Sequence, residues 1–244
     1  MPNYKKTKFK DLILFENDNY IVINKPGDIA SLHERGLNKS IIELAREYLP
    51  EATLCHRLDK ETSGVLLVSK NEEAYKNAAL QFEKREVKKE YHAVCDGYLD
   101  FDEFLIDLPI HSGSSEKVRI DMKKGKPSQT IFDSLEIFKN FTLLSCKPIS
   151  GRMHQIRIHL ASQNAVITGD ELYGGKFPLL SKLKRKYKKH KYAEDENPIF
   201  KRVALHSSQL TFKGLDGKEI IVKAPYPKDF EVFLKILRKY DLKQ

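Results

Sequence analysis

Two segments gather polar side chains at a density and spacing suited to chemistry. The first, His56-Arg57-Leu58-Asp59-Lys60-Glu61-Thr62-Ser63-Gly64, runs straight into the apolar stretch Val65–Val68. A loop that sets an aspartate beside an arginine and ends in a turn glycine can present a carboxylate from a rigid strand. Aspartate also closes turns locally, so the segment by itself leaves both uses of Asp59 open. The second is Gly151-Arg152-Met153-His154-Gln155-Ile156-Arg157-Ile158-His159-Leu160-Ala161. At helical spacing Met153, Ile156, Arg157 and Leu160 share a face, which sets Arg157 among apolar neighbours. An arginine there needs a carboxylate partner, because an unpaired buried charge is very costly. His154 and His159 are five apart and miss the i, i+4 spacing of a helical metal pair. Satisfied or RNA-facing histidines fit better, and no metal site is expected. Gly-x-Ser-x-Gly, a Gly-rich phosphate loop and a cysteine paired with a motif histidine are all missing from the sequence, which argues against separate nucleophile-plus-base systems.

The elements that must hold these segments are legible in part. Ile41, Leu44, Ala45 and Tyr48 fall at helical spacing behind a Ser40-x-x-Glu43 capping box. Tyr75, Ala78, Ala79 and Phe82 do so behind Asn71, a good N-cap. Phe230, Phe233, Leu234 and Leu237 form a closing amphipathic helix. Tyr20–Ile23, Val65–Ser69, Tyr91–Cys95, Thr130–Phe138, Phe141–Lys147 and Ile220–Lys223 are rich in β-branched and aromatic residues and are expected as strands. Lys139-Asn140 and Asp216-Gly217 are expected to turn hairpins, the latter as type I′. Strands and helices mix without the alternation of a doubly wound sheet, so the expected class is α+β with a mainly antiparallel sheet flanked by helices.

Composition narrows the classes. The 244 residues carry 43 Lys+Arg against 34 Asp+Glu, a net charge of +9, with 41% hydrophobic and 10% aromatic residues. That is enough apolar material for a packed core, and the positive balance suits a polyanionic partner. The longest apolar runs have four residues, against the roughly 20 of a membrane span. A soluble, cytoplasmic, monomeric protein without membrane partners is expected. Cys55, Cys95 and Cys146 are odd in number and widely spaced, which speaks for small buried hydrophobes rather than disulfides or zinc ligands. Lys182–Lys191 holds seven cations and no acid, followed by Glu194-Asp195-Glu196. It has the look of a basic insertion, placed around 176–201, either solvated or in contact with RNA.

His56–Gly64 resembles the catalytic motif of the RluA-type pseudouridine synthases, and Gly151–Leu160 resembles their third motif. Val22-Ile23-Asn24-Lys25-Pro26-Gly27 is similar to the family's opening strand and Lys88-Lys89-Glu90-Tyr91-His92-Ala93-Val94 to its tyrosine-bearing strand. Gly169-Asp170-Glu171-Leu172-Tyr173-Gly174, Leu205-His206-Ser207 and Lys223-Ala224-Pro225 continue the likeness. Order and spacing agree from about Phe15 to Pro227, so one catalytic domain over 1–244 is expected, with no room for an RNA-binding domain ahead of Phe15.

The resemblance implies a mixed, mostly antiparallel sheet in two halves with an RNA cleft between them. It implies that Asp59 is the essential carboxylate, that Arg157 pairs with it, and that Tyr91 stacks on the target base and shares in proton removal. Arg57 would fill the gap left by the flipped base. Arg152, His154, Lys184, Arg185, Lys188 and Lys189 are the further expected RNA contacts. The implied reaction breaks the N1–C1′ bond of uridine and joins C5 to C1′, which calls for no cofactor. It needs one ionised carboxylate near C1′, either as nucleophile or to take a sugar proton. Structured ribosomal and transfer RNA are both open as substrates. A non-catalytic RNA binder and a nucleoside glycosylase are the competing readings, separable by product.

Overall fold

The computed structural model describes residues 7–33, 39–113, 117–184, 187 and 196–242. In chain order its elements are β1 (Ile13–Glu16), β2 (Tyr20–Lys25), α1 (Ile41–Tyr48), β3 (Thr53–Leu54), β4 (Ser63–Ser69), α2 (Glu72–Glu83) and β5 (Lys88–Asp96). There follow β6 (Phe104–Asp107), β7 (Ile110–His111), β8 (Arg119–Ile120), β9 (Gln129–Ile137), β10 (Phe141–Pro148) and α3 (Gln155–Ser162). The last are α4 (Leu180–Leu183), β11 (Leu205–Lys213), β12 (Glu219–Lys223) and α5 (Lys228–Tyr240). The chain divides into two compact units. The first comprises Met1–Glu90 and His206–Pro225, the second Tyr91–Leu205 and Tyr226–Gln244. Among the described residues no helix is long and apolar enough to cross a membrane.

In the first unit the sheet runs β1-β2-β4-β11, with β3 on β4 and β12 on β11. Every described pairing here is antiparallel except β4 with β11. β4 is buried along its whole length, as its unbroken Val-Leu-Leu-Val run requires. Tyr20 packs edge-on against Phe212 at 5.1 Å and sends its hydroxyl to the Ala74 carbonyl at 3.1 Å, which ties α2 to the sheet. Burial pushes the phenol up to about 12. In the second unit β5-β10-β9-β6 form an antiparallel sheet, and β7 and β8 make a separate small ribbon. Its core joins Phe132, Phe200 and Phe230 with Ile156 and Leu160 of α3. The expected α+β class with a mixed, mostly antiparallel sheet is what the chain adopts.

The caps formed as their sequences require. Glu43 accepts from the Ser40 backbone N–H and hydroxyl, both at 2.7 Å, and Asn71 Oδ1 accepts from Ala74 N–H at 2.8 Å. Phe230, Phe233, Leu234 and Leu237 are the buried face of α5. Three expectations need correction. α2 buries Ala74, Ala78 and Gln81, while Tyr75 is exposed. Gln81 takes the inward position because its amide clamps Lys213, donating to the carbonyl and accepting from the N–H at 2.8 Å each. The Asp216-Gly217 hairpin is not type I′, which needs two left-handed residues; only Gly217 is left-handed, at φ +75°. Its loop closes from Gly214 N–H to Lys218 O at 2.9 Å. Met153 precedes α3 and is 38% exposed, so it is not part of the buried face.

The junction of three strands sets the position of the first motif. Gly64 pairs with Lys25 of β2 on one side and Ser207 of β11 on the other. It sits at φ +111°, and a Cβ there would lie 2.1 Å from the Ser207 carbonyl oxygen. Gly64→Ala therefore meets both a left-handed backbone and a rigid backbone atom. Overpacking alone costs about 1–3 kcal/mol, and the strained conformation adds about 1 kcal/mol. Urea unfolding should show a loss of about 2–4 kcal/mol. Gly97→Ala, at φ +100° but with nothing within 4 Å of its would-be Cβ, should lose only the strain share. Equal midpoints for the two variants would contradict the close-approach account.

Candidate active site

The first motif is held at alternate residues. His56 Nε2 accepts from the Leu67 N–H at 3.1 Å, and the ring packs on Phe82 at 4.9 Å. Desolvation, helped by the Lys89 ammonium, pushes the imidazole down to about 3, so it stays a neutral acceptor. Leu58 is buried and held at two points by Ser31, whose hydroxyl donates to Leu58 O at 2.7 Å and accepts from Leu58 N–H at 3.0 Å. The Lys60 carbonyl accepts from Lys25 Nζ at 3.0 Å. Ser63 Oγ lies 2.9 Å from His206 Nδ1, and His206 Nε2 donates to the Ala224 carbonyl at 3.2 Å. Arg57, Asp59 and Glu61 alternate with these anchors. The turn itself is closed by Thr62 N–H on the main-chain carbonyl of Asp59 at 3.1 Å, an acceptor any residue offers. Asp59 is half-buried and Arg57 exposed.

Lys25 is the residue the sequence reading did not single out. Its side chain is fully buried, and its ammonium donates to three carbonyls, Pro26 at 2.9 Å, Ile29 at 2.8 Å and Lys60 at 3.0 Å. An ammonium has three donors, and these bonds join the chain after β2 to the residue that follows Asp59. Asn24 of the same motif reaches Pro225 O at 3.0 Å.

In the second unit Arg157 is buried on α3, as its spacing implied, and it has a carboxylate partner. That partner within the unit is Asp170, buried in the stretch after the third motif. Arg157 Nε donates to Oδ2 and Nη2 to Oδ1, both at 2.7 Å, the bidentate geometry that makes such pairs strong. The guanidinium lies 5.2 Å from the Tyr173 ring centre. The start of α3 is fixed by Gln155, whose oxygen accepts from Ser150 Oγ at 2.7 Å and Arg152 N–H at 3.0 Å. Its amide nitrogen donates to Gln129 O and Thr130 Oγ1. His159 completes that chain: Nδ1 meets Thr130 Oγ1 at 2.9 Å and Nε2 donates to Leu108 O at 3.0 Å. Burial lowers its pKa, so it is a satisfied core histidine.

His154 is left-handed at φ +52°, a conformation that costs a non-glycine residue about 1–3 kcal/mol and clusters at functional sites. Its Nδ1 lies 3.2 Å from the Tyr173 hydroxyl. Arg152 is half-buried, and among the described residues its Nε is enclosed without a hydrogen-bond partner. Tyr91 is half-buried on β5 opposite Cys146 of β10. Lys184 is exposed, its ammonium 5.8 Å from the Tyr240 ring centre. Arg185, Lys188 and Lys189 lie outside the described residues. Thus Tyr173 brings His154 and Arg157 together, while Asp59 and Arg57 belong to the first unit.

Residues 19–162 match the family model described as RNA pseudouridylate synthase. The ribosomal large subunit pseudouridine synthase C of Buchnera aphidicola subsp. Acyrthosiphon pisum (strain APS) is 34% identical over 243 residues, 97% of this chain and 74% of the relative. The chain belongs to the RluA-type pseudouridine synthase family. Its reaction class is therefore that of an RNA pseudouridine synthase, an isomerase. The enzyme of the same name from Salmonella typhi is 32% identical over 96% of this chain and 72% of its own. For the Vibrio cholerae enzyme the match is 35% over 71% of this chain and 57% of the relative, little more than half its length. In fold, the chain is similar to the solved structure of human RNA pseudouridylate synthase domain containing 4. The TM-score is 0.73 at 24% identity, covering 94% and 95% of the two chains.

Asp170→Asn keeps the shape of this pseudouridine synthase but removes the negative charge that answers Arg157 within the unit. Breaking one side of a buried pair costs about 3–5 kcal/mol, and urea unfolding should show that loss. A variant within about 1 kcal/mol of the parent would mean that the pair does not hold the site.

Proposed function

We propose that this chain converts uridines of large-subunit ribosomal RNA to pseudouridine, with Asp59 as the catalytic carboxylate. One observation carries the assignment of Asp59. The loop around it is anchored at His56, Leu58, Lys60 and Ser63, so its carboxylate is carried on a frame that does not need to reorganise. The RNA class follows the names of the relatives, which are ribosomal large subunit enzymes.

In this reading Asp59 works at C1′ while the N1–C1′ bond breaks, the base turns, and C5 bonds to C1′ and gives up its proton. Arg157, fixed by Asp170, is the third-motif arginine that serves the reaction alongside Asp59. Tyr91 receives the flipped base, returning roughly 1–3 kcal/mol of the stacking lost. Arg57, exposed beside the loop, occupies the gap in the RNA. Arg152, whose enclosed Nε would gain an acceptor, binds a phosphate with His154 and Lys184 near it in function.

The test is release of tritium from RNA transcribed with [5-³H]uridine, paired with nucleoside analysis of the product. The parent chain should release tritium from large-subunit ribosomal RNA and leave pseudouridine in the strand. Asp59→Asn should abolish release while RNA affinity stays within about threefold. Tyr91→Phe keeps the stacking ring and should bind normally but turn over slowly. Turnover by a clean Asp59→Asn preparation would remove the assignment. Free uracil with an abasic site would make the chain a glycosylase, and release from transfer RNA alone would move its substrate.

A further inference from the structure

Tyr173 is buried, yet it is ringed by charge. Arg157 Cζ lies 5.2 Å and Lys117 Nζ 5.4 Å from its ring centre. The His154 ring meets it edge-on at 5.8 Å and 88°. Its hydroxyl accepts from Val118 N–H at 3.1 Å and lies 3.2 Å from His154 Nδ1. The tyrosine ends the short turn Glu171–Tyr173, and its own N–H donates to Asp170 O at 3.1 Å. The residue that grips Arg157 and the ring that touches it thus come from one turn. A side chain needed only to fill volume would have no use for the hydroxyl, and phenylalanine would serve. A desolvated cation held over an aromatic face is attracted by the ring quadrupole, which makes the ring a second restraint on the guanidinium.

The hydroxyl points to a different part of the chain. Val118 is buried and, with Ile110 and Tyr173, forms an apolar cluster apart from the main core of the unit. It directly precedes β8 and so stands at the foot of the arm that runs through β8 into the turn to Lys126. That turn is built: the Asp121 carboxylate accepts from Lys123 N–H and Lys124 N–H at 3.0 Å each, and Gly125 N–H donates to Asp121 O at 2.8 Å. It exposes Lys123 and Lys124 to solvent.

We propose that Tyr173 is a positioning residue for the reaction: its ring fixes the Arg157 guanidinium against Asp170, and its hydroxyl ties that arginine to His154 and to the foot of the basic arm. The arm and Arg157 then hold one geometry. This rests on the assignment of Arg157 to the reaction, and the test separates the two.

The full chain and its Tyr173→Phe, Tyr173→Leu and Arg157→Lys variants are compared on large-subunit ribosomal RNA transcribed with [5-³H]uridine, alongside amide hydrogen exchange at Val118. Tyr173→Phe loses the hydroxyl, so Val118 exchange should quicken about tenfold and kcat fall about two- to fivefold. Tyr173→Leu loses the ring as well, and kcat should fall by more than about tenfold with the loss in kcat rather than KM. Arg157→Lys should lose turnover too. Parental kcat in Tyr173→Leu with turnover lost in Arg157→Lys overturns the proposal and spares the assignment of Arg157. Parental kcat in both overturns both. Should Tyr173→Leu fail to fold, the phenylalanine variant decides: unchanged Val118 exchange with unchanged kcat overturns the proposal.

Discussion

A lysine ammonium taken wholly out of water is the constraint around which the first motif is arranged. Removing such a charge from water costs several kcal/mol even after relaxation, so its surroundings must return nearly all of that. Lys25 manages it by saturating its three donors with the carbonyls of Pro26, Ile29 and Lys60. Those carbonyls belong to two stretches of chain that share no strand pairing at those residues. The ammonium is a three-way clamp, and the residue beside one of its arms is Asp59. Next to it, Gly64 gives up a side chain so that β2, β4 and β11 can approach. Loop position is thereby set by contacts to the backbone.

The second unit meets the same problem by other means. There the group out of water is a guanidinium, and a buried carboxylate answers it in bidentate fashion. Asp170 and Tyr173 come from one turn, and Gln155 locks the start of the helix that carries Arg157. If Arg157 serves the proposed reaction, it gains from this stiffness, because a reacting group misplaced by about 1 Å can lose about a hundredfold in rate. The left-handed His154 is the one strained residue in this cluster, at the point where chain meets helix.

Local chemistry made much of this legible. Capping residues announce helix starts because their partners lie three residues away, and both Ser40 and Asn71 did so. The two motif segments could be found because they place charge inside apolar patterns, and family likeness supplied roles that spacing left open. The parts that escaped share a physical cause, which is distance along the chain. Lys25 and Lys60 are 35 residues apart, and Arg157 and Asp170 are 13. Gln81 looks like a surface residue until Lys213, 132 positions on, supplies a partner for each end of its amide. The expected face of α2 holds at Ala78 and Phe82 and fails at Tyr75, where apolarity was taken for burial. Asp216-Gly217 misled through the dipeptide alone, since the turn type depends on how Gly214 and Lys218 close around it.

The claim that joins these parts is that the chain modifies ribosomal RNA through a fixed carboxylate. Pseudouridine mapping across all cellular RNA, with and without the chain, tests it most directly. The account predicts that specific positions in large-subunit ribosomal RNA revert to uridine when the chain is missing and are restored by returning it. A ribosomal pseudouridine set that is unchanged by its loss would contradict the account.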